Sequence, residues 1–211
     1  MSEIIQPQWW DEACEQLKQR DRILHRLISE AKGSCLQQTV SPYGTLVRTI
    51  IRQQQSPRSA QRTWEEFTQA CGVPIPTVES VRRLMSEEDG LASLSRRKQT
   101  YVANVTKHVQ EHWHTMPDWQ SLSDEEVIKQ LCKISGVGRW TAEMFLIFYL
   151  RRPNILPMDD TNLHQAISLH YFSGEPVSRF EIREVAQAWT PWRTAAVWHL
   201  WHSLDATVLL Y

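Results

Sequence analysis

Residues 134–150 read ISGVGRWTAEMFLIFYL, and this stretch decides the fold. Two glycines, Gly136 and Gly138, stand one residue apart between two segments of helical period. The segment before them carries Val127, Ile128 and Leu131 on one side, the pattern of a half-buried helix. The segment after them, Ala142 to Leu150, is apolar on nearly all sides and belongs in a core. The reading is helix, tight turn, buried helix. A Gly-x-Gly turn leaves backbone N–H groups unpaired at the next helix's N-terminus, where the dipole favours an anion such as a phosphate. By itself the pattern suits an ordinary helix–helix corner better than a binding loop.

Outward from this hairpin, helical period continues in both directions. Apolar residues at Ala13, Leu17, Leu24, Leu27 and Ile28 predict a helix running from Trp10 to near Gly33. Leu46, Val47, Ile50 and Ile51 form a second stripe. Pro57 sits where a third helix would start, with Ala60, Trp64 and Phe67 facing inward. Tyr101, Val102, Val105, Val109 and Trp113 mark another. Ser123 with Glu126, and Ser178 with Glu181, read as capping boxes ahead of apolar stripes. Proline-marked loops at 74–76, 117, 153–157 and 176 separate the pieces, and alternating strand patterns are missing. Scarce glycine, seven against ten Trp, also argues against a turn-dense β fold. The fold class is all-α. At 211 residues the chain makes one domain, or two small lobes sharing a core.

Composition narrows the function classes. The net charge is −1 and the pI about 6.7, no global sign of a nucleic-acid partner, although a polyanion responds to one local face. The start, MSEIIQPQWWDE, is acidic and aromatic rather than basic then apolar, so no export signal is expected and a cytoplasmic location is. The longest strictly apolar run, Met144 to Leu150, is seven residues, too short for a membrane span. Cys14, Cys35, Cys71 and Cys132 are separated by 21, 36 and 61 residues, which disfavours a zinc or iron–sulfur site and reads as free thiols.

A second segment, LPMDDTNL at 156–163, places two acids after a proline and ahead of a helix bearing Leu163, Ala166, Ile167 and Tyr171. One Asp suffices as an N-cap, worth about 1 kcal/mol. The second asks for another role. A carboxylate beside the helix dipole is a fixed negative charge at pH 7, suited to stabilising a developing cation.

These two segments resemble the helix-hairpin-helix DNA glycosylases, GVGRWTAEM at 136–144 followed by PMDDTNLHQAI at 157–167. The likeness is greatest to the alkylation-repair branch, 3-methyladenine DNA glycosylase II. Three further stretches agree: YGTLVRTIIRQQQSPRSA at 43–60, LSRRK at 94–98, and the Trp-x-Pro-x-Arg segment at 189–193 running on to Trp201. Five motifs in order over residues 40–205 are far more specific than any one of them.

The resemblance implies a two-lobed helical fold with a DNA-binding cleft and the hairpin at its mouth. Residues 1–40 would be an N-terminal helical segment packing with the C-terminal helices, and 41–211 the glycosylase core. Asp160 matches the catalytic aspartate, which leaves Asp159 as the helix cap. Trp201 and Trp140, with Met144 and Thr161, would line the base pocket. Gly136, Val137, Gly138, Arg139 and Thr141 of the hairpin, with Gln54 and Ser56, would bind DNA. Gln54 falls where relatives insert a wedge into the gap left by the flipped nucleotide, usually an apolar one. Carbonyls of Cys132, Ile134 and Val137 would hold a structural monovalent cation bridging to the DNA backbone. No cofactor for catalysis is implied.

One departure is informative. Bifunctional relatives carry a Schiff-base lysine in the hairpin slot that Trp140 occupies here, and indole has no nucleophilic atom. The family's cysteine-ligated cluster is missing too. Both imply a monofunctional glycosylase that leaves an abasic site, and the resemblance implies a monomer acting on damaged bases, such as 3-methyladenine, in double-stranded DNA. The alternatives are a bifunctional glycosylase/lyase and a non-catalytic helix-hairpin-helix DNA-binding protein. An alkylated purine is cationic and already a good leaving group, and an indole face selects it by cation–π stacking worth about 0.5–2 kcal/mol. Trp64 and Trp113 read as core, and Trp9 and Trp10 as staples of the first helix. His108, His112 and His114 read as a solvated helix face. Arg48, Arg52, Arg58 and Arg62, with Arg96, Arg97, Lys98, Lys133 and Arg139, are the candidate basic face.

Overall fold

A computed structural model of the chain describes residues 6–37, 41–112 and 118–204, and among these it has eleven α-helices and no strand. Trp113, His114 and Pro117 lie outside the described residues. The helices form two compact units, residues 6–37 with 151–204 and residues 41–150, so the N-terminal helices share a unit with the C-terminal ones. No helix of the described residues is long and apolar enough to cross a membrane.

In the first unit, α1 (Trp10–Arg20) and α2 (Arg22–Glu30) pack with α11 (Arg193–Leu204), and α11 packs on α9 (Thr161–Tyr171); α10 (Arg179–Gln187) follows α9 in the chain. The single helix expected from Trp10 to Gly33 is two. Asp21 has extended backbone, and its Oδ1 accepts the amides of Ile23 and Leu24, which starts α2. Its Oδ2 accepts the Tyr171 hydroxyl at 2.6 Å and the Trp189 indole N–H at 3.0 Å. Periodicity alone could not show this break, because Leu17 and Leu24 stay in phase across it and both are fully buried.

The second unit holds α3 (Pro42–Arg52), α4 (Pro57–Cys71), α5 (Val78–Ser86), α6 (Arg96–His112), α7 (Asp124–Leu131) and α8 (Arg139–Phe148). Every residue of α8 from Thr141 to Phe148 is buried, as its all-round apolar sequence requires, and the helix packs on α3 and α7. The Ser123–Glu126 and Ser178–Glu181 capping boxes form as read. A third, Thr77 with Ser80, has Ser in place of the acid or amide that signals the motif. Lys98 leaves the candidate basic face. It is buried, its Nζ donates to the Ile51 carbonyl at 2.5 Å, and burial pushes its ammonium down to about 8.

Candidate active site and nucleic-acid interface

Asp160 closes the loop ahead of α9. Its amide donates to the Pro157 carbonyl at 3.0 Å, and its backbone is extended at the N-cap position. The side chain is 4% exposed. Oδ1 accepts two bonds, from the Leu163 amide at 2.7 Å and from Trp201 Nε1 at 2.8 Å. The cap of α9 is therefore Asp160 itself, not Asp159. Asp159 pairs with Arg179 at the start of α10 instead, because the acid one residue earlier lies outside the reach of the first-turn amides. His164 holds the Met158 carbonyl at 2.9 Å, which fixes the other side of this turn. Thr161, first residue of α9, is exposed.

Trp201 is 2% exposed, so the role visible for it is orientation of the carboxylate through its N–H. Trp9 stacks on Trp192, and Trp10 packs edge-on against Trp198. With the fully buried Trp189, six of the ten tryptophans thus belong to the interior of this unit or its edge, which agrees with the staple role read for Trp9 and Trp10.

The hairpin lies in the other unit. Gly136 has φ +100°, and a Cβ there would stand 2.4 Å from Cγ of Tyr101, so the turn demands glycine both for its backbone and for its packing. Gly138 is the N-cap of α8 with extended backbone, nothing within 4 Å of a Cβ, and no side chain capping the helix. First-turn amides that no side chain caps are what an anion at a helix N-terminus needs. Val137 N–H donates to the Ile134 carbonyl at 3.0 Å. A carbonyl has a second lone pair, so this bond is compatible with a cation on the carbonyls of Cys132, Ile134 and Val137. Trp140 is half-buried, while Thr141 and Met144 are buried.

Arg139 differs from expectation. It is exposed but bonded to two carboxylates, Glu125 through both terminal nitrogens and Glu143 through Nε at 3.1 Å. Its charge is already offset, which weakens it as a phosphate contact. Arg48 likewise donates to Gln61 and lies 4.7 Å over the Trp64 ring.

The Gln53–Ser56 turn is tied to this hairpin. Gln53 Nε2 donates to the Gly136 carbonyl at 3.1 Å and to the Thr141 hydroxyl at 3.0 Å. Gln54 is exposed with φ +55°, and Arg97 donates to its Oε1. Ser56 caps α4 through Ser59 N–H. Sequence reasoning counted Arg97 only as one charge of the candidate basic face and did not single out Gln53, because a polar residue that bonds another segment leaves no periodic signature. The rings of His108 and His112 lie 4.7 Å apart, tilted at 53°, and among the described residues no group of three His, Cys, Asp or Glu could hold a metal.

A helix–Gly-x-Gly–helix turn in one unit and an oriented aspartate at a helix start in the other occupy the stretch that a family profile for base excision DNA repair proteins matches, residues 47–191. The chain belongs to the HhH-GPD superfamily. Among curated HhH-GPD relatives, DNA-3-methyladenine glycosylase 1 of Schizosaccharomyces pombe is 29% identical over 181 residues, 84% of this chain and 79% of that one. The alkylbase DNA glycosidase-like protein mag2 of the same organism is 30% identical over 167 residues, covering 76% and 77%. A solved structure of the S. pombe 3-methyladenine DNA glycosylase Mag1 in complex with abasic DNA superposes with a TM-score of 0.78 at 28% identity, covering 91% of this chain and 96% of that chain. The HhH-GPD match spans both units, so hairpin and aspartate belong to one family framework.

Proposed function

We propose that the chain is a monofunctional DNA glycosylase that removes alkylated, cationic purines such as 3-methyladenine from double-stranded DNA by hydrolysing the N-glycosidic bond. The reaction is a step of base excision repair, carried out by a monomer on cytoplasmic, nucleoid DNA. The observation that carries this reading is Asp160, a nearly buried carboxylate with two donors on one oxygen. Relatives named as 3-methyladenine and alkylbase glycosylases support the substrate class.

Chemistry on a stacked base requires extruding the nucleotide, at a cost of a few kcal/mol. The α8 amides at Gly138, Arg139 and Trp140 would hold a backbone phosphate, and Gln54 would enter the gap. Ser56 and Thr141 sit beside these contacts. The carbonyls of Cys132, Ile134 and Val137 would hold a monovalent cation, which supplies positive charge next to the DNA backbone. Trp140, half-buried with Met144 one turn along α8, is the indole available to a cationic base. Thr161 and Trp201 flank the carboxylate. Asp160 would stabilise the oxocarbenium-like sugar and orient or deprotonate the attacking water.

A cationic base needs no general acid to leave, and no lysine stands in the hairpin slot. The test is release of free base from methylated duplex DNA, resolved by product, by wild type and Asp160→Asn. Release by wild type alone is expected, with no borohydride-trappable adduct on abasic DNA. A trapped adduct would favour the bifunctional reading, and tight DNA binding with no release at all a non-catalytic one.

A further inference from the structure

The segment that carries Asp160 runs from Arg151 without regular structure, and one helix holds it at both ends. At its start the holder is Thr194, fully buried in the first turn of α11. The Thr194 amide donates to the Pro153 carbonyl at 2.9 Å. Its hydroxyl donates to the Arg152 carbonyl at 2.6 Å and accepts the Ile155 amide at 3.0 Å. At the far end the holder is Trp201, through Oδ1 of Asp160. Thr194 and Trp201 stand two turns apart on one face of α11, about 10.5 Å along a helix that is buried throughout that span. Between the two anchors the chain has little slack, because Pro153 and Pro157 fix φ and Ile155 and Pro157 are buried. The hydroxyl makes the first anchor: a carbonyl needs a donor, an amide needs an acceptor, and one O–H supplies both.

We infer that Thr194 is a positioning residue for base excision: by pinning the start of this segment to α11, it sets where the Asp160 carboxylate meets the Trp201 N–H. The inference rests on the glycosylase reading for its chemistry, while the clamp itself lies wholly within the first unit. Without the hydroxyl, the Arg152 carbonyl and the Ile155 amide lose their partner, and the segment must move to find others. That movement reaches Asp160 through the stiff stretch from Ile155 to Pro157, whose carbonyl holds the Asp160 amide at 3.0 Å. A small misplacement of the group that faces the reacting atoms costs rate. It leaves DNA affinity alone, because the phosphate contacts proposed above belong to α8 in the other unit.

The test compares wild type with Thr194→Val, which puts a methyl group in place of the hydroxyl, and Thr194→Ser, which keeps the hydroxyl. Thr194→Ala, measured in parallel, removes the hydroxyl by truncation and should behave as Thr194→Val does. Exchange of the Trp201 and Trp189 indole N–H groups with solvent deuterium is followed by NMR, each signal assigned by its Phe variant. Trp189 is fully buried in the same unit and donates to Asp21, so it reports general loosening. In Thr194→Val the Trp201 N–H should exchange about tenfold faster, relative to Trp189, than in wild type. Single-turnover release of 3-methyladenine from methylated duplex DNA should fall about tenfold, with affinity for abasic DNA unchanged. Thr194→Ser should bring both readouts to within about twofold of wild type. Equal acceleration of the two indoles overturns the inference, and so does a wild-type release rate in Thr194→Val; either would make Thr194 a packing residue. If wild type releases no base while the Trp201 response persists, the glycosylase reading falls and takes the catalytic purpose of the clamp with it, while its geometry stands.

Discussion

The indole N–H of Trp201 and the carboxylate of Asp160 meet at 2.8 Å, on the same oxygen that the Leu163 amide reaches at 2.7 Å. Two donors on Oδ1 fix the carboxylate plane while the helix cap fixes its position. Asp160→Asn keeps an acceptor for the cap but loses the charge. Base release should fall by about a thousandfold, the scale for removing an electrostatic stabiliser, with abasic-DNA affinity near wild type. Trp201→Phe keeps an aromatic ring in the core but removes the N–H, together with the rest of the pyrrole ring. Its single-turnover rate should fall about tenfold with affinity unchanged, since a hydrogen bond to a charged group is worth about 1.5–3 kcal/mol. An unchanged rate would reduce Trp201 to a packing residue.

The two hairpin glycines should separate under substitution. At Gly136 a methyl group would strike the Tyr101 ring at 2.4 Å, with the backbone at φ +100°. Gly136→Ala should cost about 2–3 kcal/mol in urea unfolding, through overpacking and backbone strain together. At Gly138 a Cβ meets nothing within 4 Å and the backbone is extended. Gly138→Ala should unfold within about 0.5 kcal/mol of wild type yet bind DNA less well, because its Cβ crowds the α8 amides that a phosphate approaches. Equal destabilisation of both variants would contradict the role of Tyr101.

Much of this was legible in the sequence, and the reasons differ by element. The all-round apolar run after Gly138 predicts α8, and Ser123, Ser178 and Pro57 predict helix starts, because capping and burial are local rules. Asp21 breaking the first helix was not legible, since its partners Tyr171 and Trp189 lie about 150 residues or more away in sequence. Which of Asp159 and Asp160 caps α9 was likewise undetermined by the dipeptide, and Arg179 settles it by taking Asp159. Trp201 was read by its ring, whereas its N–H is what the structure uses. The charge on Arg139 was counted toward DNA with no sign in the sequence that Glu125, fourteen residues earlier, would meet it.

That last contact yields a prediction about salt. Glu125 is exposed and holds both terminal nitrogens of Arg139 at the edge of the hairpin, with its carboxyl held below the usual carboxylate range by that bond. Glu125→Gln leaves Arg139 with one carboxylate instead of two. Affinity for undamaged duplex should rise several-fold at low salt, and the slope of log K against log salt should steepen by about one. The measurement is a salt titration of binding for wild type, Glu125→Gln and the double variant with Arg139→Gln, in which the gain should vanish. A gain that survives in the double variant would come from general charge rather than from Arg139.

Stability should fall on mild acidification, and His199 is the main group responsible, ahead of the less buried His108 and His170, which burial also holds down. It is 2% exposed on α11, its Nε2 is 3.5 Å from the Cys14 sulfur, and its Nδ1 has no partner. Burial, and after it the nearby His202 and Lys18, hold the imidazole down at about 3. Burial also pushes the Cys14 thiol up to about 11, so the group beside the ring is a neutral thiol with no charge to offset an imidazolium. The unfolded chain protonates this histidine near its ordinary 6.5, and the folded chain does so only near 3. Between those values the unfolded state binds more protons, so stability is complete above pH 6.5 and is lost as pH falls toward 3. The slope approaches about 1.4 kcal/mol per pH unit, or about 2 kcal/mol lost at pH 5 relative to pH 7. His199→Leu removes this titration, and its urea midpoint should decline much less from pH 7 to 5 than that of wild type. Parallel declines in the two proteins would place the acid sensitivity elsewhere.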